Sequence, residues 1–296
     1  MARIAWVNGK ILAADEPAIA PTDRGFMYGE GLFETMRAYL GKVFRQARHL
    51  DRLIRSATEI GLSPPSRDLL ERGIAESLAA GGMSNAIVRV TVTSGTGEVG
   101  PQTVVALVRP LKLPPPQHYS QGCRAASVAI GLAPGSALRR VKSLNYLDKL
   151  LAAAAAEWAG ADEALLVDKD ARVVEAAMRN VFGVVGGRLV TPPVARGLLP
   201  GVTREAVLEV AARAGIPADE RDVTLSELQA ADECFLTSSI AEIIPVASVD
   251  GRAVGEGAPG EVTKRLTEAY RVLVADELGL ESDFAKATSD KSKRSG

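Results

Sequence analysis

The chain has only two cysteines, Cys123 and Cys234, and two histidines, His49 and His118, in 296 residues. So few and so scattered, they exclude a disulfide framework and a Cys/His zinc site, and the expectation is a reducing, cytoplasmic setting with no metal. Net charge is missing as well: 35 basic residues against 36 acidic ones leave −1. Without a basic footprint, neither nucleic acid nor a membrane surface is an expected partner, and small molecules are. No uncharged run has the length of a membrane span, and the first ten residues meet charge and Gly9 before any apolar stretch of signal-peptide length. Neither an anchor nor a targeting segment is therefore expected. No internal repeat is visible. What the chain does have is 47% hydrophobic residues, enough for the cores of two domains.

Asn8-Gly9, between Ala5-Trp6-Val7 and Lys10-Ile11-Leu12-Ala13, is a hairpin turn signal. The run from Leu32 to Tyr39 alternates roughly, as a half-buried strand does, and Val43-Phe44 returns after Gly41. From Arg48 the period becomes helical, with Leu50, Leu53, Ile54, Ala57 and Ile60 on one face, Arg52 on the polar side and Gly61 as the stop. A second helix is expected over 67–80, and strands over 86–93, 104–108 and 125–131. Leu111 to Tyr119, with Pro114-Pro115-Pro116 at its centre, reads as a stiff, extended linker. Beyond it come a helix over 144–158, strands within 163–192, a helix over 203–214 with Ala206, Val207, Val210 and Ala214 inward, strands near Cys234 and Ile243, and a last helix over 262–278. The fold class is α/β, or α+β, in two domains: a small N-terminal one over 1–115 and a larger one over 116–281 that carries Lys142. Residues 282–296, rich in Ser, Lys and Asp, are expected to be a disordered tail.

Four short segments carry chemistry. Lys142, in Val141-Lys142-Ser143-Leu144-Asn145-Tyr146, stands ahead of an Ala/Leu-rich helix, and Glu175 ends an apolar run where a carboxylate has no packing reason to be. Leu199-Pro200-Gly201-Val202-Thr203 is a helix start, and Thr237-Ser238-Ser239 puts hydroxyls at a strand end. An amine, a carboxylate and a helix start, in that order, are what pyridoxal phosphate requires for its Schiff base, its pyridinium nitrogen and its phosphate. Tyr146, four residues after Lys142, would lie one helical turn away and could reach the ring oxygen. Singly, each has a plainer reading: a solvated lysine, an exposed strand-end carboxylate, an ordinary helix start, a Ser-rich turn. Arg52 is either a salt-bridged surface arginine or a second phosphate ligand.

The order of these segments, together with Asp23-Arg24-Gly25 through Phe33-Glu34-Thr35-Met36-Arg37, His49-Leu50-Asp51-Arg52, Glu175 to Phe182 and Phe235 to Val246, resembles the class IV aminotransferases. These are the fold-type IV pyridoxal-phosphate enzymes, and the resemblance runs from about Val7 to Leu278. It implies a two-domain fold with the cofactor at the domain interface, Lys142 as Schiff-base lysine and proton shuttle, and Glu175 as pyridinium partner. It further implies cofactor contacts from Arg52, Tyr146, Asn180, Val202, Thr203, Ser238 and Ser239, and substrate contacts from Phe33, Thr35, Arg89, Arg179 and Ile240. The expected substrates are an amino donor and a 2-oxo acid such as 2-oxoglutarate, and the expected assembly is a homodimer or higher homo-oligomer.

The segment from Ile240 to Gly255 is similar to branched-chain transaminases. Thr35, however, is more typical of aminodeoxychorismate lyase and (R)-amine transaminases, and Ile87-Val88-Arg89 lacks the Tyr of the branched-chain Tyr-x-Arg motif. The loop from Ser94 to Gly100 lacks the Arg-x-His pair of D-amino-acid transaminases. A branched-chain-like transaminase is favoured, with the lyase and a D-amino-acid or (R)-amine transaminase as alternatives.

Overall fold

The computed structural model describes residues 4–16, 18–97, 101–129 and 136–280. The expected tail, the end of the strand expected over 125–131 and the last part of the loop from Ser94 to Gly100 lie outside them. The chain divides into two compact units, Met1–Lys112 with Arg140–Tyr146 and Leu113–Arg139 with Leu147–Gly296.

The first unit is an antiparallel sheet under two helices. Its strands are β1 (Ile4–Val7), β2 (Lys10–Ala13), β3 (Gly31–Tyr39), β4 (Lys42–Val43), β5 (Ala86–Thr93) and β6 (Thr103–Pro110), in the order β2-β1-β6-β5-β3-β4. Asn8 and Gly9 form the β1–β2 turn with positive φ at both, as a two-residue hairpin requires. A short helix, α1 (Arg24–Tyr28), precedes β3, and α2 (Gln46–Glu59) and α3 (Arg67–Gly81) follow it. Alternate residues of the strands, Leu32 and Met36 of β3, Val88 and Val90 of β5 and Val104 and Ala106 of β6, form one core with Leu50, Leu53 and Ala57 of α2 and Leu70 and Ile74 of α3. At Gly73 the fit is close: an added Cβ would come within 2.9 Å of the Trp6 ring. Two expectations change here. β3 is buried on both faces except at Thr35, whereas alternation suggested a half-buried strand. Arg52 lies on the buried face of α2 with His49, Leu50 and Leu53 rather than on a polar side.

Lys142 also belongs to this unit and not to the domain over 116–281. Phe33 N donates to Lys142 O (2.8 Å), Leu144 N to Gly31 O (2.9 Å), and Ser143 bridges to Leu32, so a segment far along the chain adds a short rung to β3. With its backbone bonded to β3, this segment is not helical; the helix starts at Leu147, and Tyr146 is not one helical turn above Lys142.

The second unit opens with α4 (Pro116–Ser120), a short helix inside the stretch expected to be extended, with Pro at its N-terminus where the missing N–H costs nothing. After it come β7 (Cys123–Ala129), α5 (Ala137–Arg140, whose last residue belongs to the first unit), α6 (Leu147–Trp158), β8 (Glu163–Val167), β9 (Arg172–Ala176), β10 (Asn180–Val185), β11 (Arg188–Thr191) and α7 (Val202–Arg213). The rest are β12 (Ala218–Glu220), β13 (Val223–Thr224), α8 (Leu225–Gln229), β14 (Glu233–Ser238), β15 (Glu242–Val249), β16 (Arg252–Ala253) and α9 (Glu261–Leu278). Its sheet runs β12-β11-β10-β14-β15-β7-β8-β9-β13, with β16 beside β15. Leu165, Val173, Val181, Leu236 and Ile244 fill its core, and Ala152 and Ala156 of α6 pack on Ala126 and Ala164. Both cysteines are buried and unbonded. Ala214, expected inward, is exposed because α7 ends at Arg213. Among the described residues no helix is long and apolar enough to cross a membrane.

Candidate functional site

In the first unit the reactive residues gather around one ring. Phe33 carries the Arg89 guanidinium 3.7 Å and the Lys142 Nζ 4.6 Å from its centroid, and Tyr146 meets it edge-on at 5.3 Å. Lys142 Nζ also lies 5.7 Å from the Tyr146 ring. Arg89 pairs across the strands with Thr35, so both face the same side of the sheet as Phe33. Its Nε reaches Thr91 Oγ1 at a weak 3.4 Å. Burial holds the Arg89 pKa below the ordinary arginine value, with Tyr146 opposing and Arg109 adding to the shift. The arrangement presents an amine and a guanidinium on one aromatic platform, the pair needed to hold a carboxylate next to a reacting carbon.

On the opposite face of β3, within the apolar core, lies an ionic cluster that sequence reading missed. Glu34 Oε1 accepts from Arg52 Nε (2.7 Å), and Oε2 accepts from Arg52 Nη2 (2.7 Å) and His49 Nδ1 (2.8 Å). Burial alone would raise the Glu34 pKa, but Arg52 and His49 overcome it and hold the carboxyl far below the usual range. Burial lowers the His49 pKa, Glu34 partly offsetting it, and because it faces a carboxylate the ring donates through Nδ1. Arg52 is therefore the buried partner of Glu34, not a surface arginine. The signal was present: Glu34 shares the parity of Leu32 and Met36, and His49 and Arg52 are three apart on a helix.

In the second unit Glu175 is buried in β9. Its Oε1 accepts from Lys149 Nζ (2.6 Å), a residue sequence reading also missed, and its Oε2 from Leu199 N at a longer 3.2 Å. Asn180 in β10 donates to Leu199 O (2.9 Å) and pairs with Thr237 across the sheet. Gly201 begins α7 with no side-chain cap, and an added Cβ there would fall 1.9 Å from Asn180 Oδ1. Val202 and Thr203 are buried in the first turn of α7, and Thr237 Oγ1 is buried with no hydrogen-bond partner among the described residues. An uncapped helix start, a cradle that a Cβ would fill and an unbonded buried hydroxyl fit a phosphate, and Glu175 supplies a buried carboxylate for a ring nitrogen. Ser238 closes β14, its Oγ accepting from Ala241 N (3.3 Å), and Ser239 and Ile240 follow in the turn, half-buried. Arg179, the remaining residue of the expected substrate set, donates through its guanidinium to Glu163.

Residues 31–249 match the family described as Amino-transferase class IV. A protein of Methanocaldococcus jannaschii that carries a provisional name as a branched-chain-amino-acid aminotransferase is 37% identical over 275 residues, 90% of this chain and 94% of that one. A D-alanine aminotransferase of Staphylococcus haemolyticus is 31% identical over 271 residues, 90% and 95% of the two chains. The crystal structure of the Escherichia coli branched-chain amino acid aminotransferase superimposes with a TM-score of 0.87 at 30% identity, covering 95% of this chain and 97% of the other. With the fold, the coverage and the family match in agreement, the chain belongs to the class IV aminotransferases, enzymes that depend on pyridoxal phosphate.

Proposed function

We propose that the enzyme moves the amino group of branched-chain or other apolar L-amino acids to a 2-oxo acid such as 2-oxoglutarate. The observation that carries this reading is the Phe33 platform, where an amine and a guanidinium lie 4.6 and 3.7 Å from one ring. The 37% identity to the M. jannaschii protein supports the branched-chain choice.

The cofactor, when bound, supplies an aldehyde that amines condense with and a pyridinium that withdraws electrons from the adjacent carbon. The chain does the rest. Lys142 would hold the cofactor through its Nζ, and the same amine, when free, would serve as the base that takes the proton from the substrate carbon and as the acid that gives it back. Half-burial beside Phe33 and Tyr146 keeps that amine poorly hydrated, which suits a group that must act as a base. Arg89, beside Thr35, holds the substrate carboxylate, and Phe33 positions its apolar part. Tyr146 and Arg52 contact the cofactor, the latter oriented by Glu34 and His49. From the second unit we assign Glu175 to the ring nitrogen, Val202, Thr203, Ser238 and Ser239 to the phosphate, Asn180 to shaping the cradle and Ile240 to the substrate.

We further propose that the enzyme works in the cytoplasm as a homodimer or higher homo-oligomer. Leu147, Leu151 and Trp158, 67%, 60% and 87% exposed along one face of α6, support association, since such a stripe rarely faces water in a monomer. A monomer by light scattering would refute it.

The D-alanine aminotransferase relative favours a second reading, in which the donor is a D-amino acid. Titrating the cofactor-loaded protein with L-leucine, D-alanine, (R)-1-phenylethylamine and aminodeoxychorismate, each followed by visible absorbance, separates the possibilities. Bleaching of the lysine-bound cofactor band by L-leucine sustains the branched-chain reading. Bleaching by D-alanine or by the amine alone replaces it, and pyruvate released only from aminodeoxychorismate identifies a lyase.

A further inference from the structure

Lys149 stands where a lysine has no packing reason to be. Ala152 and Ala156, three and seven residues on, are the buried residues of α6, so Lys149 shares the sheet-facing side of that helix. Those small side chains pack in one cluster with Ala126, Ala164 and Leu166. Lys149 is also the third residue of α6, in the first turn, where the helix dipole disfavours a cation. Glu175 compensates. It stands opposite Leu166 across the β8–β9 pair and therefore points to the side that α6 covers. Lys149 Nζ donates to its Oε1 at 2.6 Å, and the two side chains are only 17% and 7% exposed. Lys169 and Asp170 form a largely exposed pair that water screens, whereas the Lys149 charge acts on Glu175 with little water between. A second cation adds to it, since the charge of Glu175 also bears on buried Arg139. Among the described residues Glu175 Oε2 has only the longer, 3.2 Å bond from Leu199 N, and so keeps the capacity to accept from another donor.

We propose that Lys149 is a positioning residue that acts through Glu175: by sharing the carboxylate's charge it leaves the ring nitrogen of pyridoxal phosphate a weaker counter-ion, and so a proton only partly held. The proposal rests on the assignment of Glu175 to that nitrogen. A carboxylate that answers a pyridinium alone keeps it protonated, and one already paired with an ammonium has less charge to offer. A cation on the other oxygen of the same carboxylate lowers the nitrogen's proton affinity by roughly 10- to 100-fold. Lys149 thereby limits how strongly the ring withdraws electrons from the substrate carbon, while its bond to Oε1 fixes the carboxylate in place.

The test is nitrogen NMR of the protein loaded with pyridoxal phosphate isotopically labelled at the ring nitrogen, for wild type, Lys149→Gln, Lys149→Arg and Glu175→Gln. The wild-type resonance should fall between the positions of neutral and fully protonated pyridine. Lys149→Gln keeps an N–H for Oε1 and removes the charge, so its resonance should move toward the protonated position. Lys149→Arg keeps the charge and should stay near wild type, and Glu175→Gln should move the resonance toward the neutral position. A wild-type resonance at either limit overturns the proposal without need of any variant. So does a shift in Lys149→Gln that is absent or runs the other way. An unchanged resonance in Glu175→Gln removes Glu175 from the ring nitrogen and the proposal with it, whereas a response to Glu175→Gln without one to Lys149→Gln removes Lys149 alone.

Discussion

The two faces of the six-stranded sheet treat charge in opposite ways. On the helix-covered face a single acid, Glu34, sits among Leu32, Met36 and Leu50, and both its oxygens are bonded to Arg52 and His49. On the other face Arg89 and Arg109 have no acid partner among the described residues. An ionised group buried in an apolar core is costly unless neighbouring groups of the protein neutralise it. A positive group left without its counter-ion is tolerable only where a ligand can supply one. The first face thus neutralises its charge from within, and the second does not.

Substitutions should separate these roles. The largest effect is expected on the Phe33 side: Lys142→Ala should cut transamination by about 10³-fold or more while leaving the urea unfolding midpoint near that of wild type. Turnover close to wild type would remove Lys142 from the chemistry. On the helix side, Glu34→Gln leaves Arg52 buried without a counter-charge and should cost about 3–5 kcal/mol of stability in urea titration. A change below about 1 kcal/mol would mean that the cluster is hydrated. Arg89→Gln should lower kcat/KM by about 10- to 100-fold and leave stability unchanged or slightly improved, since it removes an unpaired charge. A stability loss as large as that of Glu34→Gln would erase the contrast between the faces.

The smallest effect is a pH dependence. His49 has its pKa lowered from 6.5, so the stability it contributes is complete above that value and declines as pH falls below it. Glu34, lowered from 4.5, gives a second decline as pH drops below 4.5. Thermal midpoints between pH 7 and 5 should therefore fall in the wild type and fall less in His49→Gln. Parallel curves for the two proteins would show that His49 does not titrate on unfolding.

Much of the fold was legible because it rests on local rules. Asn8-Gly9 fixes a hairpin wherever it lies between two apolar runs, and Gly61 and Gly82, with positive φ, end or follow helices whose apolar spacing is plain in the sequence. Residue types also singled out Lys142, Glu175 and the α7 start, by the order in which they occur rather than by any one of them alone. Long-range pairing was not legible. The Ala/Leu run places Lys142 just ahead of a helix with Tyr146 one helical turn on, yet the Lys142 backbone bonds to Phe33, more than a hundred residues earlier. Arg52 was read as polar-faced because helical periodicity ranks arginine outward, and only the arrival of Glu34 from β3 turns it inward.

By itself, the sequence determined which residues could do chemistry, where helices and strands begin and end, and that two cores were affordable. Those are properties of neighbours along the chain: turn conformations, side-chain period and the titratable groups themselves. Tertiary structure alone decided which face of β3 is sealed, and therefore that Glu34 must be neutralised from within while Arg89 and Arg109 are not. Burial sets the cost of a charge, and burial depends on strands and helices that the chain brings together only after it has folded.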